Sequence, residues 1–193
     1  MKLSGSYQIN LPKEKVWEAL NDPEILRQAI PGCEEFTKNS DTEFTAKATN
    51  KIGPFNASFT GDVELKDLNP PNSYKITGSG NSPVGFASGE ASVKLEEENG
   101  GTKLIYEVEA NVGGKIAQVG ARLIDMTAKK MADIFFGKFS ELITPSTNEE
   151  SLNQNQLDEK NSIDSSGHKP LNQKLLIYGG VVLAVAIIAY LIF

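Results

Sequence analysis

Side chains that bind metals or attack substrates are scarce in this sequence. It contains one cysteine, Cys33, and one histidine, His168. A lone cysteine excludes an intrachain disulfide, and nothing indicates an oxidising compartment. The first 143 residues hold no histidine, so no Ser–His or Cys–His pair can form there. No CxxC, HExxH or phosphate-loop pattern occurs. Cys33 precedes Glu34 and Glu35, acidic neighbours that raise a thiol pKa rather than activate it. Lys and Arg number 19 against 25 Asp and Glu, with no strongly basic segment, so nucleic acid is not an expected partner. The start, MKLSGSYQIN, lacks the apolar stretch of a secretory signal.

What is present divides into three parts. From Leu175 to Phe193 the chain reads LLIYGGVVLAVAIIAYLIF, 19 residues without a charge. As a helix it would measure about 28 Å, close to the hydrocarbon thickness of a bilayer. Tyr178 and Tyr190 stand near its two ends, where amphipathic rings favour the interfaces. Lys169 and Lys174 precede it, and a basic flank stays on the cytoplasmic side. We therefore expect residues 174–193 to form a single-pass anchor, with the rest of the chain at the cytoplasmic face of the cell membrane. Gly179-Gly180 lacks the GxxxG spacing of a helix-pairing motif. Residues 144–173 are rich in Asn, Gln, Ser and acid and poor in large apolar residues. Such a stretch cannot bury enough surface to offset the entropy of ordering. As a disordered linker it reaches about 30 Å. His168 falls within it, beside Lys169 and Pro170, and has no metal or catalytic role in this reading.

Residues 1–143 are expected to form one folded unit. Leu3, Gly5, Tyr7 and Ile9 alternate with polar residues, the period of a half-buried strand. LPKEKVWEAL follows, with Pro12 suited to a first helical turn and Val16, Trp17, Ala19 and Leu20 on one face. Asp22-Pro23 caps a second short helix through Leu26 to Ile30. Six strand-like runs follow, near 33–39, 42–52, 55–68, 73–80, 85–98 and 102–112. The turns between them are short, which implies antiparallel hairpins. A last helix spans about Lys115 to Ile143, with an apolar stripe through Ile116, Val119, Leu123, Met126, Met131, Ile134, Phe135 and Phe139. This is an α+β order. A seven-stranded antiparallel sheet with its inherent twist would curl around the long helix, each covering the other's apolar surface.

Alternation also says which side chains point inward. The inward set is unusually small: Ala46, Ala48, Ala57, Gly61, Gly78, Gly80, Gly89 and Ala91 stand among scattered aromatics. A solid core needs close packing by larger groups, so this composition suits an apolar cavity. Close approach of helix and sheet would also accommodate it. The candidate lining comprises Phe44, Phe55, Phe59, Tyr74, Phe86, Ala91 and Tyr106 from the strands. The helix adds Ile116, Val119, Gly120, Arg122, Leu123 and Met126. Gly120 is a position where leucine would fill such a cavity. Arg122 either reaches a polar head group at the mouth or extends to solvent. Glu96-Glu97-Glu98 reads as a solvated strand end, and Glu107 and Glu109 fall on the outer face by parity. No metal or covalent cofactor is expected; the ligand would be a quinone or lipid-like molecule.

Four segments carry a resemblance: IPGCEEF at Ile30–Phe36, IGPFNASFTGDVEL at Ile52–Leu65, GFASGEASVKL at Gly85–Leu95 and VGGKIAQVGARLI at Val112–Ile124. With them in this order, residues 1–143 resemble the carbon monoxide dehydrogenase G-subunit family. That family belongs to the START-like helix-grip superfamily, with the polyketide cyclases. The resemblance implies a helix-grip fold with an apolar ligand cavity. It also implies partnership with molybdenum hydroxylases of the carbon monoxide dehydrogenase type, recruited to the membrane and coupled to the quinone pool. The molybdenum, copper, flavin and iron–sulfur groups would belong to those partner subunits. Two other readings remain: a membrane-docking adaptor without ligand transport, and a cyclase or hydrolase.

The tail generates two predictions. Truncation before Leu175 should release a soluble domain; a truncated protein that still pellets with membranes after a high-salt wash contradicts the anchor. Protease added outside sealed right-side-out cells should leave the globular part intact, and its digestion there would reverse the topology.

Overall fold

The computed structural model describes residues 1–144. The anchor expected at 174–193 and nearly all of the linker lie outside the described residues. Among the described residues no helix is long and apolar enough to cross a membrane.

Strand β1 (Lys2–Ile9) leads into α1 (Lys13–Ala19) and α2 (Pro23–Ala29). Asp22 caps α2: its carboxylate accepts from the backbone N–H groups of Glu24 and Ile25 at 2.9 and 3.4 Å, and Pro23 opens the helix. Six strands follow: β2 (Cys33–Lys38), β3 (Glu43–Ile52), β4 (Phe55–Asn69), β5 (Ser73–Ser82), β6 (Gly85–Glu98) and β7 (Gly101–Gly113). They form one antiparallel sheet in the order β1-β7-β6-β5-β4-β3-β2. Expected and observed strands agree to within two residues at nearly every end.

The final helix differs from its expectation. Lys115–Val119 is a 3-10 turn, and α3 proper runs from Ala121 to Ile143. Gly114 at φ +83° and Gly120 at φ +92° bracket the turn. Those angles are left-handed, open to glycine and foreign to a continuous α-helix. The apolar stripe crosses the break unnoticed, because side-chain periodicity does not record backbone sign.

β1 and β2 are the two edges of the sheet although they are adjacent in sequence. The α1–α2 pair carries the chain from one edge to the other. α2 packs on β2 and on α3, and α3 packs on β1, so the helices link both edges. The link at β1 is aromatic. Tyr7, Tyr106 and Phe136 stack, with the Tyr7 and Phe136 ring centroids 3.8 Å apart, and Phe136 meets Phe135 edge-on at 5.2 Å. The Tyr7 hydroxyl donates to Asp133 on α3. The sheet's outer face is polar, crossed by exposed ion pairs such as Lys75–Asp67 at 2.7 Å and Lys47–Glu34 at 2.9 Å. Such pairs contribute little to stability.

Phe136 is almost fully buried, and its ring holds α3 to the sheet edge. Phe136→Ala should lower unfolding free energy by about 3–5 kcal/mol. Urea denaturation of the domain reads this directly, and a loss below about 1 kcal/mol would contradict the assigned role.

Candidate functional site

The strand register turns the inward side chains into rows that cross the sheet. At one end Tyr74, Val93, Tyr106 and Gly5 lie side by side on β5, β6, β7 and β1. The Tyr106 ring covers Gly5, where a Cβ would stand 2.5 Å from its hydroxyl oxygen. Trp17 of α1 meets Tyr74 edge-on at 5.4 Å, so α1 roofs this end. The next row is aliphatic: Leu65, Ile76, Ala91, Val108 and Leu3. Then comes Phe44, Val63, Gly78, Gly89 and Ala110. The row after it is Ala46, Gly61, Gly80, Ala87 and Val112. Side-chain volume therefore falls from the α1 end to this fourth row, and nearer the β3–β4 tip it rises again at Phe59, which pairs with Ala48.

The tips of the β3–β4 and β5–β6 hairpins meet the start of α3. Gly53, at φ +57°, turns the β3–β4 hairpin; a Cβ there would lie 3.0 Å from Leu123 and 3.4 Å from Val119. The Ile116 N–H donates to the Val84 carbonyl at 2.9 Å, tying the 3-10 turn to the β5–β6 tip. Phe55, Val119 and Leu123 are only half-buried here. The small-residue rows thus run towards an apolar rim formed by two hairpin tips and the first turn of α3.

The expected lining sorts by position. Phe44, Phe59, Tyr74, Ala91, Tyr106 and Ile116 join one buried apolar cluster. Of these, Tyr74, Ala91 and Tyr106 belong to the large-residue end, and Ile116 to the rim. Phe55, Val119 and Leu123 form the rim. Four residues lie outside the interior. Phe86 is 51% exposed, on the outward parity of β6, with its ring over Gly113. Met126 is 60% exposed, because the buried face of α3 is set by Ala128, Ala132, Phe135, Phe136 and Phe139. Arg122 and Gly120 are exposed. A Cβ on Gly120 would meet nothing within 4 Å, and its left-handed φ would strain any side chain. Leucine at 120 would therefore reach solvent and fill no cavity. Ala87, absent from the expected lining, is buried in the smallest row. Its register against Gly80 was the missing signal.

Two concavities of about 530 and 450 Å³ lie among outward-pointing groups. The first has Glu43, Asp62, Thr77 and Ser79; the second has Ser92, Lys94 and Glu107. The first also touches Phe44, Val63 and Gly78 of the third row and the second Tyr74, Val93 and Tyr106 of the first, and neither reaches Ala46, Gly61, Gly80 or Ala87.

The Cys33 thiol and the phenols of Tyr7 and Tyr106 are held in their protonated forms. Burial pushes the Cys33 thiol up to about 11, with Glu34 adding and Arg27 opposing. Burial, more than the acidic neighbours, is the main cause. Burial and the bond to Asp133 lift the Tyr7 phenol well above its ordinary range. Burial, followed by the Asp133 charge, raises Tyr106 as well. Both phenols stay protonated near neutrality. Among the described residues no three His, Cys, Asp or Glu side chains converge on a metal-sized site.

A crystal structure of a conserved protein from Geobacillus kaustophilus is 30% identical, with a TM-score of 0.71; the match covers 74% of this chain and 95% of that one. A protein from Mycobacterium smegmatis matches at 17% identity and TM-score 0.56, covering 76% of this chain and 93% of its own. One from Thermus thermophilus matches at 12% identity and TM-score 0.58, covering 77% and 100%. These last two share the fold alone. No curated protein is significantly similar to the chain. The family model for the G subunit of carbon monoxide dehydrogenase (CoxG) matches residues 5–144, and the chain belongs to that family.

Proposed function

We propose that this protein is a membrane-tethered carrier of an apolar small molecule, a quinone or another isoprenoid or lipid. The observation that carries the reading is the pair of small-residue rows, Val63-Gly78-Gly89-Ala110 and Ala46-Gly61-Gly80-Ala87. Between Phe44 and Val63 at one side and Val112 at the other, these rows offer little beyond a Cβ, and α3 meets the sheet mainly at β1, away from their middle. Ala46, Val63, Ala87 and Ala110 are buried without a ligand, so the atoms above this trough belong to the domain. An apolar ligand entering past Phe55, Val119 and Leu123 would take their place against the small side chains.

Energetics favour exchange over trapping. A lipid tail is already in an apolar medium within the bilayer. Moving it into a trough of Ala, Val and Phe gains little of the roughly 0.8 kcal/mol per methylene that separates oil from water. Transfer between bilayer and protein is then close to balanced, which suits a carrier. The protonated Cys33, Tyr7 and Tyr106 and the absence of histidine from residues 1–143 support binding over catalysis. The residue 174–193 anchor and cytoplasmic placement belong to the same proposal. So does a partner of the carbon monoxide dehydrogenase type, for which the family's name is the support.

Ala87→Leu tests the trough. Residues 1–144, mixed with membranes and repurified, should release an apolar molecule on organic extraction, identified by mass spectrometry. In a hollow site the leucine takes ligand volume and gains burial, so the variant should lose that molecule while its unfolding midpoint holds or rises. In a packed core it overfills the interior at a cost of about 1–3 kcal/mol. A destabilised variant, together with a parent that carries nothing apolar, would overturn the carrier and leave the docking adaptor.

A further inference from the structure

We infer that the hairpin-tip end of the domain, continued along the exposed face of α3, is a docking surface for an anionic lipid bilayer. Charge is segregated over the surface of the domain. Among the described residues, the basic side chains in ion pairs are spread over the strands, α1, α2 and the end of α3. The basic side chains of the described residues without an ion pair are Lys51, Lys115, Arg122, Lys129 and Lys130, and all five are exposed. Lys51 precedes the β3–β4 tip and Lys115 opens the 3-10 turn; the other three lie on the first half of α3. Asp125 and Asp133 are the acids on that stretch, and Asp133 accepts from Tyr7. In a chain with more acid than base, the unneutralised cations are thus collected at one end.

Exposed apolar groups coincide with them. Phe86 lies over Gly113, just before the 3-10 turn, and Met126 stands on α3 between Arg122 and Lys129 at i, i+4 and i+7. Residues so spaced share one side of a helix. An apolar residue flanked by cations whose stems can snorkel is the pattern of a helix lying at a membrane interface. Anionic lipids would hold the cations, while Phe86 and Met126 enter the headgroup layer. Bilayer is favoured over a protein partner because the small-residue rows run towards this same end. A domain seated this way brings the Phe55–Val119–Leu123 rim to the lipid, so a tail passes between them without crossing water. The purpose of the surface rests on the carrier reading; its geometry does not.

The match to this domain spans 95% of the crystallised Geobacillus kaustophilus chain, and residues 1–144 are the corresponding unit to test. They should co-sediment with vesicles of phosphatidylcholine containing phosphatidylglycerol, and far less with phosphatidylcholine alone. Added salt should weaken the association. Lys115→Glu with Lys129→Glu should lower partitioning about tenfold or more. Phe86→Ser with Met126→Ser should lower it as well, while Lys94→Glu, on a paired strand lysine, should leave it within about twofold. Uptake of a soluble quinone analogue without vesicles should survive the Lys115/Lys129 pair. Loss of partitioning with uptake intact supports the docking surface. A parent that partitions but takes up no analogue also supports it, and the carrier reading alone falls. A parent that ignores anionic vesicles, or charge variants that bind like the parent, would overturn the surface. So would a solution dimer abolished by the Phe86/Met126 changes, which would assign the face to a second copy.

Discussion

The whole domain depends on one topological constraint: two strands adjacent in sequence occupy opposite edges of a seven-stranded sheet. The connection between β1 and β2 must span the sheet, and only a pair of short helices is available to do so. Because α2 packs on β2 and on α3, and α3 on β1, the edges are drawn towards each other through the helices. A twisted sheet held this way encloses a concave side. The Tyr7–Tyr106–Phe136 stack is the fastening at the β1 edge. Its placement at the C-terminal half of α3 leaves the first half without a comparable hold on the sheet.

The unequal hold has a counterpart in residue size. Where α1 roofs the sheet, the inward row is aromatic and Trp17 meets Tyr74. Further along, the middle of the sheet shrinks to alanine and glycine before Phe59 and Ile52 follow towards the β3–β4 tip. One end of the domain therefore contributes a packed core, and the middle of the sheet presents mainly backbone and Cβ atoms to whatever lies above. Stability and binding are assigned to different parts of one sheet, so a substitution in the small rows can change the space for a ligand without cutting the aromatic fastening.

Much of this fold is legible in the residues. Period-two alternation and turn clusters locate all seven strands, and Asp22-Pro23 marks the start of α2. The interior could be read as a set of small residues but not as rows, because rows require register, and register depends on pairing between distant segments. The break before α3 was hidden for a different reason. Gly114 and Gly120 look like helix-stripe neighbours until their positive φ values are known. Met126 fits the stripe by spacing, yet α3 turns Ala128, Ala132 and Phe135 inward and leaves it in solvent. Phe86 misled through residue type: an aromatic beside Ala87 invites an inward assignment, whereas parity places it outside, over Gly113.

These features meet in the physics of transfer. An apolar tail loses favourable free energy only while it is in water, so the barrier to exchange is set by the gap between bilayer and trough rather than by the trough itself. A rim of Phe55, Val119 and Leu123 held at the headgroup layer by Lys115, Arg122 and Lys129 would close that gap. Such a device needs no strong affinity at either surface. In the proposed arrangement a tether of about 30 residues, reaching about 30 Å, would keep the domain near the bilayer, and weak, salt-sensitive contacts would orient it. Strong docking would hold the domain at the lipid, whereas a carrier that serves a second partner must leave. The modest cluster of unpaired cations, set against a chain with net charge −6, is therefore in keeping with reversible contact.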